Sequence, residues 1–273
     1  MTLALGWFTT ARGPGSRALF EAVVAAIGSG ALDARIAVVC CNRAPGEDAV
    51  TDGFLRRVEE LQLPLVARSS VAFRRAHGGA RSQPGVPLPP WRDAYDAELD
   101  GALRAHPFAL GVLAGYMLIF GAAFVAQHPL LNLHPALPGG PAGTWREVIR
   151  ALIRARAHES GVMLHLAVPD VDAGPVASLC RYALDGPALA PFWAALAREP
   201  GALDDAAIEA SGLFDAIREE GVRREAPLLL ATLAAFASGR LRAEGGRLLD
   251  ARGGPATPAD LTTEVEALLR GGG

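Results

Sequence analysis

The sequence predicts an α/β protein with an open, mostly parallel sheet that is flanked by helices on both faces. Short apolar runs rich in β-formers alternate along the chain with amphipathic stretches of helical period, which is the pattern of consecutive βαβ units. Glycines follow the first apolar run, as expected where a strand turns into a helix. Hydrophobic residues make up 51% of the 273 residues, enough for the core of one large domain, or of one domain with an appendage.

The first βαβ unit is predicted within residues 3–41. An apolar run at 3–9 is followed by a glycine loop at 12–16 and by a helical pattern that continues to about Ile27. The apolar run at 36–41 predicts the second strand, which lies parallel to the first because a helix connects the two. The first half of the chain is therefore expected to be Rossmann-like.

The same alternation predicts the remaining elements. In order, they are a helix at 48–61, a strand at 64–68, an exposed Gly/Pro loop at 77–90, a helix at 91–104, strands at 108–113 and 130–133, a helix at 144–157, strands at 162–168 and 176–183, irregular helix at 187–218, a helix at 227–236, a hairpin at 241–249 and a helix at 261–269. Glycines interrupt the longest apolar run, 108–125, so we expect a strand, a loop and a short helix there and not a membrane span.

Composition excludes several classes of protein. The net charge of −3 and the pI of about 6.1 do not fit the basic face of a nucleic-acid-binding protein. Charged residues, at 20%, are too few for a disordered chain. The 26 residues counted as Lys or Arg are all Arg, which excludes a Schiff-base lysine and the lysine of a P-loop.

Cysteine usage and the N-terminus predict a cytoplasmic protein. The three Cys residues are too few for a disulfide framework, and neither C-x-x-C nor H-x-x-x-H spacing occurs. Residues 1–10 lack the basic segment of a signal peptide. We therefore expect small-molecule partners, with no metal, no nucleic acid and no membrane; the oligomeric state is not predicted.

Polar side chains with complementary chemistry follow the later predicted strands. Asn132 and His134 are two residues apart, so they point to the same side of an extended chain. A turn with two carboxylates, Asp170 and Asp172, comes after the strand that contains His165. Open parallel sheets bind ligands at the carboxyl ends of their strands, which makes this group the candidate active site.

An amide, an imidazole and a carboxylate together suit acyl transfer to an amine. The carbonyl oxygen has to be stabilised as it becomes an oxyanion, which a side-chain amide or an imidazole N–H can do. The attacking amine has to lose a proton and the leaving nitrogen has to gain one, which an imidazole and a carboxylate can mediate. Neither a metal nor a covalent intermediate is needed for this reaction.

The two motifs resemble the signature of a known family. Asn132-x-His134-Pro135, followed by Asp172-x-Gly174-Pro175, resembles the motifs of the folate-dependent formyltransferases. Further segments extend the resemblance to the glycinamide ribonucleotide branch of that family over roughly residues 3–245. They are 13–16, 92–96, 114–117, 161–165, and Glu225 with 239–241.

The resemblance implies the formyltransferase fold and an activity. The activity is transfer of a formyl group from the co-substrate 10-formyltetrahydrofolate to the amine of glycinamide ribonucleotide, a step of purine biosynthesis. By motif position, the catalytic residues are Asn132, His134 and Asp172, the phosphate-binding residues Gly13, Gly15, Ser16 and Arg17, the acceptor-binding residues Gly115, Pro135 and Glu225, and the folate-binding residues Arg92, Met117, Leu118, Ile119, Asp170 and His165.

The resemblance also implies a domain organisation. We expect a catalytic domain at 1–250, with a phosphate-binding half at 1–105, a folate and catalytic half at 106–250, an insertion at 187–220 and a helical tail at 251–273.

The chain departs from the family pattern at three places. Pro14 removes a backbone N–H from the phosphate loop, and Arg17 adds a cation there. Leu118 stands where the family often has an arginine for the folate glutamate tail. The loop after Pro135, expected to border the acceptor, also differs. Two alternatives stay open: formylation of another amine, such as an amino sugar nucleotide, or a non-catalytic folate- or nucleotide-binding protein of the same fold.

Overall fold

The computed structural model describes residues 2–81, 86–170, 172–198 and 204–271. Its strands are β1 (Leu3–Thr9), β2 (Ala34–Cys41), β3 (Leu65–Ala67), β4 (Leu110–Leu113), β5 (Leu130–His134), β6 (Glu159–Leu166), β7 (Val176–Ala183), β8 (Leu241–Glu244), β9 (Arg247–Asp250) and β10 (Ala259–Asp260). Its helices are α1 (Pro14–Gly28), α2 (Ala49–Glu60), α3 (Ser70–Ala76), α4 (Trp91–Leu103), α5 (Ala122–Gln127), α6 (Trp145–Arg154), α7 (Ala190–Leu196), α8 (Asp205–Glu209), α9 (Gly212–Ala237) and α10 (Thr262–Gly271).

The chain divides into two compact units that interleave along the sequence. The first contains Met1–Asn132, Leu166–Pro175 and Leu233–Ala256, and the second contains Leu133–His165, Val176–Thr232 and Thr257–Gly273. The predicted catalytic domain at 1–250, its two halves and the tail at 251–273 stay predictions. The sequence could not indicate the boundaries of the compact units, because segments distant along the chain belong to the same unit.

The first unit is built on parallel strands in the order β5-β4-β1-β2-β3, with α1 to α5 as its helices. Trp7 and Phe8 are neighbours on β1, so their side chains point to opposite faces of the sheet. Trp7 packs edge-on against Phe20 of α1, and Phe8 packs edge-on against Phe124 of α5. Both faces of β1 are thus covered by helices, which confirms the predicted fold class.

The second unit combines three strands with helices. β6 and β7 pair antiparallel, and β10 adds to the other edge of β7 in parallel. Ser178 on β7 lies 2.5 Å from Thr232 of α9, oxygen to oxygen, and both side chains are buried. β10 was missed in the sequence because a pair of residues, Ala259 and Asp260, carries too little periodicity to predict a strand.

Most predicted elements are confirmed within a few residues, and the helix predicted to start at Pro227 differs. α9 begins at Gly212 and continues through Pro227, where the sequence predicted a helix start. A proline inside a helix costs about 3 kcal/mol, and the complete burial of Leu228, Leu229 and Leu233 offsets that cost. α3 was not predicted. Of the predicted loop at 77–90, residues 82–85 lie outside the described chain, as do residues 199–203 of the predicted insertion.

Within the described residues, no helix has the length and apolar character needed to cross a membrane.

Candidate active site

Two of the predicted catalytic residues meet in the first unit. The side-chain amide nitrogen of Asn132 donates to Asp172, with an Nδ2 to Oδ1 distance of 3.5 Å, and both side chains are half-buried. Asp172 lies in the turn that follows β6. The N–H of Leu166 donates to the carbonyl of Pro175 at 2.9 Å and closes that turn. The N–H of Ala167 donates to the carbonyl of Leu130 at 2.7 Å, which fixes the turn against β5.

The third predicted catalytic residue, His134, is buried in the second unit. Its Nε2 lies 3.0 Å from the carbonyl oxygen of Pro141. A carbonyl can only accept, so Nε2 carries the hydrogen, and a neutral ring has its lone pair on Nδ1. The buried ring of His165 packs edge-on at 6.3 Å between centroids, so both imidazoles are held in place.

The loop that holds His134 lines a cavity of about 300 Å³ in the second unit. Its lining residues are Ala136, Leu137, Pro138, Gly139, Gly140, Pro141, Leu152, Glu159, Ser160 and Arg181. A movement of this loop would shift the Pro141 carbonyl and with it the ring of His134.

The predicted phosphate loop forms the N-terminus of α1. Gly13 is the N-cap, Pro14 follows in the first turn, and within the described residues no side chain caps this end and no acidic residue lies in its first turn. The first-turn N–H groups are therefore available to an anion, which the helix dipole also favours. Ser16 donates its hydroxyl to the carbonyl of Gly13 at 2.9 Å. The guanidinium of Arg17 extends toward Gly53 of α2.

Gly115, a predicted acceptor-binding residue, lies against this loop. Its φ is +66°, and a Cβ built on it would lie only 3.1 Å from the Cβ of Ser16. Thr10, buried beyond the end of β1, fixes the segment: its N–H donates to the Gly115 carbonyl at 3.1 Å, and its Oγ1 accepts from the Met117 N–H at 2.9 Å. Sequence reasoning missed Thr10, whose only signal was a hydroxyl following a strand.

The predicted folate-binding segment presents one exposed side chain. Met117 is 67% exposed, whereas Leu118 packs against the aromatic core of the first unit. The carbonyl of Ile119 accepts from Nη2 of Arg92 at 2.6 Å. Arg92 is fully buried and also pairs with Asp96, so in this structure its guanidinium contacts protein groups and not solvent. The role of Arg92 in folate binding, implied by its motif position, stays a prediction.

Comparison with known proteins identifies the family. A family model described as "Formyl transferase" matches residues 13–179, more than half of the chain. The chain belongs to this formyl transferase family. The matched range contains Asn132, His134 and Asp172, together with the predicted phosphate loop.

Relatives of known name agree with this assignment. Phosphoribosylglycinamide formyltransferase of Dictyostelium discoideum is 35% identical over 101 residues, 33% of this chain and 48% of that protein. The protein of the same name from Escherichia coli (strain K12) is 34% identical over 87 residues, 31% of this chain and 40% of that protein. The matches thus span half or less of the length of these relatives.

The solved structure of phosphoribosylglycinamide formyltransferase from Coxiella burnetii, in complex with CHES, has the same fold. It superposes with a TM-score of 0.65 at 22% identity, over 95% of this chain and 99% of that one.

In this member of the formyl transferase family, two predicted acceptor-binding residues lie in the second unit. Pro135 follows His134 directly and is half-buried. Glu225 is 4% exposed and accepts from Nη1 of Arg218 at 2.7 Å. Burial raises the pKa of the Glu225 carboxyl, and the cation of Arg218 opposes that rise. Arg218 also lies over the ring of Trp145, 4.8 Å from its centroid, and sequence reasoning did not select it.

The remaining predicted site residue, Asp170, is exposed, and its carbonyl accepts from the N–H of Ala173 at 3.3 Å. Within the described ranges, no group of three or more His, Cys, Asp or Glu side chains could hold a metal ion.

Proposed function

We propose that this protein transfers a formyl group from 10-formyltetrahydrofolate to the amine of glycinamide ribonucleotide. Membership of the formyl transferase family supports the reaction class, and the names of the relatives in Dictyostelium discoideum and Escherichia coli support the acceptor. The observation that carries the proposal is the contact between the amide of Asn132 and the carboxylate of Asp172. Asn132 lies on β5, two residues before His134. The small-molecule reaction is proposed to be cytoplasmic, in agreement with three free and buried cysteines.

The chemistry follows from the three side chains. The amine nitrogen attacks the formyl carbon, and the carbonyl oxygen becomes an oxyanion in the tetrahedral intermediate. Asn132 donates an N–H to that oxygen, and His134, whose Nε2–H is held by the Pro141 carbonyl, supplies a second donor from Nδ1 in its protonated form. Asp172 orients the amide of Asn132 and mediates proton movement: the amine nitrogen loses one proton, and N10 of the folate gains one as its bond to the formyl carbon breaks.

The acceptor side of the proposal rests on anion binding. The uncapped N-terminus of α1 suits the phosphate of a nucleotide, with Gly13, Gly15 and Ser16 closest to the helix end. Gly115 lies next to Ser16, so an acceptor whose phosphate binds at this helix end would extend along the segment that begins at Gly115. Glu225 is proposed to bind hydroxyl groups of the acceptor, and the cation of Arg218 favours its charged form against the burial that raises its pKa.

A different amine acceptor is the second candidate. Pro14 at the start of α1 removes one N–H from the phosphate loop, and the loop at 136–141 departs from the family pattern. Both changes affect acceptor recognition and leave the three catalytic side chains unchanged.

An absorbance assay of folate deformylation tests the proposal. We expect turnover with glycinamide ribonucleotide, and a loss on the order of 10²–10³ in kcat for His134→Ala with tetrahydrofolate binding retained. His158→Ala is the matched control, because His158 is exposed and pairs with Asp185, and neither is a predicted site residue. Turnover with an amino sugar nucleotide alone would overturn the purine assignment. Tetrahydrofolate binding without turnover on any amine would favour the non-catalytic alternative.

A further inference from the structure

We infer that Asp96, acting with Arg92, is a positioning residue that fixes the backbone of residues 117–121 in the conformation that binds the folate donor. The inference rests on the proposed function, in which Met117, Leu118 and Ile119 contact that donor. Asp96 does not itself touch the donor in this arrangement, and the pair acts through main-chain groups.

The pair is an ion pair on one face of α4. Arg92 and Asp96 are four residues apart, so they lie one helical turn from each other. The distance from Nη2 to Oδ1 is 3.0 Å, and the two side chains are 0% and 5% exposed. Burying two charges carries a desolvation cost that their mutual attraction does not always repay. Stability alone therefore does not explain why the pair is buried.

Each member of the pair holds a main-chain group of the folate segment. Nη2 of Arg92 donates to the carbonyl of Ile119 at 2.6 Å, and Oδ2 of Asp96 accepts from the N–H of Gly121 at 2.7 Å. Gly121 is the N-cap of α5, so this second contact also fixes where α5 begins. Thr10 holds the other end of the segment through the Met117 N–H. The candidate donor-binding residues thus lie between two fixed points of the backbone.

The close approach depends on a glycine. A Cβ at position 121 would lie 2.7 Å from Oδ1 of Asp93 and 3.3 Å from Oδ2 of Asp96, so a side chain there would push the segment away from α4. The guanidinium of Arg92 also contacts two aromatic rings: its Cζ lies 5.1 Å from the ring centroid of Trp91 and 5.3 Å from that of Tyr95.

The position of the Arg92 guanidinium leaves some of its buried N–H groups without hydrogen bonds to the described residues. Within the described residues, Nε and Nη1 of Arg92 and the hydroxyl of Tyr116 are buried without a hydrogen-bond partner. Unsatisfied buried donors cost free energy. The guanidinium is therefore oriented by its contact to the Ile119 carbonyl, and this orientation leaves its other donors unused.

The charge of Asp96 makes the contacts of the Arg92–Asp96 pair to the 117–121 backbone sensitive to pH. Burial raises the pKa of Asp96 and Asp93 adds to the rise, Arg92 and the Gly121 N–H oppose it, and the net pKa is about 6. The other titratable groups around Asp96 are Cys40, Tyr95 and Tyr116, whose pKa values are raised by burial, so they stay neutral at this pH. As the pH falls through about 6, Asp96 gains a proton and Arg92 loses its counter-charge. The affinity of the protein for the folate donor is therefore expected to fall as the pH falls through about 6.

The test compares three variants in the full chain. Asp96→Asn removes the charge and keeps the shape, and a second variant, Arg92→Met with Asp96→Leu, removes both buried charges without leaving either one unpaired. Asp100→Asn is the matched control: Asp100 lies one turn further along α4 and pairs with His128 and Arg104. The readouts are tetrahydrofolate affinity between pH 5 and 8, hydrogen exchange of the amides of residues 117–121, and kcat at saturating donor.

We expect tetrahydrofolate to bind about tenfold more weakly to both Asp96 variants, because a buried hydrogen bond to a charged group is lost. Amide exchange at 117–121 becomes faster, kcat stays close to that of the parent, and the affinity change near pH 6 disappears. Asp100→Asn leaves all readouts unchanged.

Unchanged amide exchange and affinity in both Asp96 variants would overturn the inference, whatever their turnover. If the parent binds tetrahydrofolate with the expected dependence on Asp96 yet transfers no formyl group, the positioning role stands and the proposed function fails. If the parent does not bind tetrahydrofolate, the donor-binding part fails together with the proposed function.

Discussion

Asp172 combines a backbone requirement with a chemical one. Its φ is +56°, in the left-handed region that most residues with a side chain avoid and that Asp and Asn tolerate. Its carboxylate accepts from the amide of Asn132 at 3.5 Å. The two requirements can be separated experimentally, because Asn satisfies the first and lacks the negative charge needed for the second.

We expect Asp172→Asn to lower kcat by on the order of 10²–10⁴, the usual contribution of a positioned acid or base, with little change in the free energy of unfolding. Asp172→Ala loses the same activity and a further ~1 kcal/mol of stability, because alanine resists the left-handed conformation. Deformylation kinetics and urea unfolding check the two effects. Parental turnover in Asp172→Asn would remove the carboxylate from the proposed mechanism.

Side-chain spacing predicted part of the site and could not predict the rest. Asn132 and His134 were selected as candidate site residues because residues two apart share one side of a strand. Arg92 and Asp96 have the spacing of an ordinary surface ion pair on a helix, and nothing in the sequence distinguishes a buried pair from an exposed one. Their burial depends on packing against the 117–121 segment, which is distant in sequence.

At the level of elements, a wrong helix boundary concealed an interaction. Arg218 and Glu225 are seven residues apart on α9, which places them on the same face of one helix. The sequence predicted an irregular helix at 187–218 and a helix at 227–236, so Arg218 ended one predicted element and Glu225 lay between the two. The helical period predicts their contact once α9 is continuous.

β6 offers a test of how an element positions the imidazole of His134, a proposed catalytic group. A Cβ at Gly161 would lie 2.3 Å from Cδ2 of Leu137 and 2.5 Å from the carbonyl oxygen of Cys180. Leu137 belongs to the same loop as Pro141, whose carbonyl holds His134. We expect Gly161→Ala to displace this loop, to destabilise the protein by about 1–3 kcal/mol and to lower kcat.

The matched control is Gly101→Ala on α4. Among the described residues no atom lies within 4 Å of a Cβ built there, and alanine is favoured over glycine in a helix by roughly 0.5–1 kcal/mol. This variant should be slightly more stable with unchanged kcat. Steady-state kinetics and thermal unfolding of both variants test this prediction. Equal kcat values for Gly161→Ala and Gly101→Ala would mean that the loop with Leu137 and Pro141 does not affect catalysis.

For the whole molecule, local patterns in the sequence predicted the sheet and the helices around it, but they did not predict the two compact units into which the chain divides. Apolar runs and helical periods gave nearly every strand and helix, because those patterns are local. The two compact units interleave, and membership of a unit depends on contacts between distant segments. The segment after residue 250 shows the difference: its helix was predicted, whereas its contribution of an edge strand beside β7 was not.

That C-terminal segment is expected to stabilise the second unit. The N–H of Leu261 donates to the carbonyl of Leu179, and Thr262 accepts from the N–H of Arg181, both at 2.9 Å. Val265 is completely buried, whereas Leu268 on the same helix is 58% exposed. We expect Val265→Ala to cost about 2 kcal/mol through lost packing and Leu268→Ala to cost little. Urea unfolding measures both, and equal costs would mean that α10 is not packed as the structure has it. Amide exchange in β7 should become faster in Val265→Ala alone, because only that change loosens the helix that follows β10.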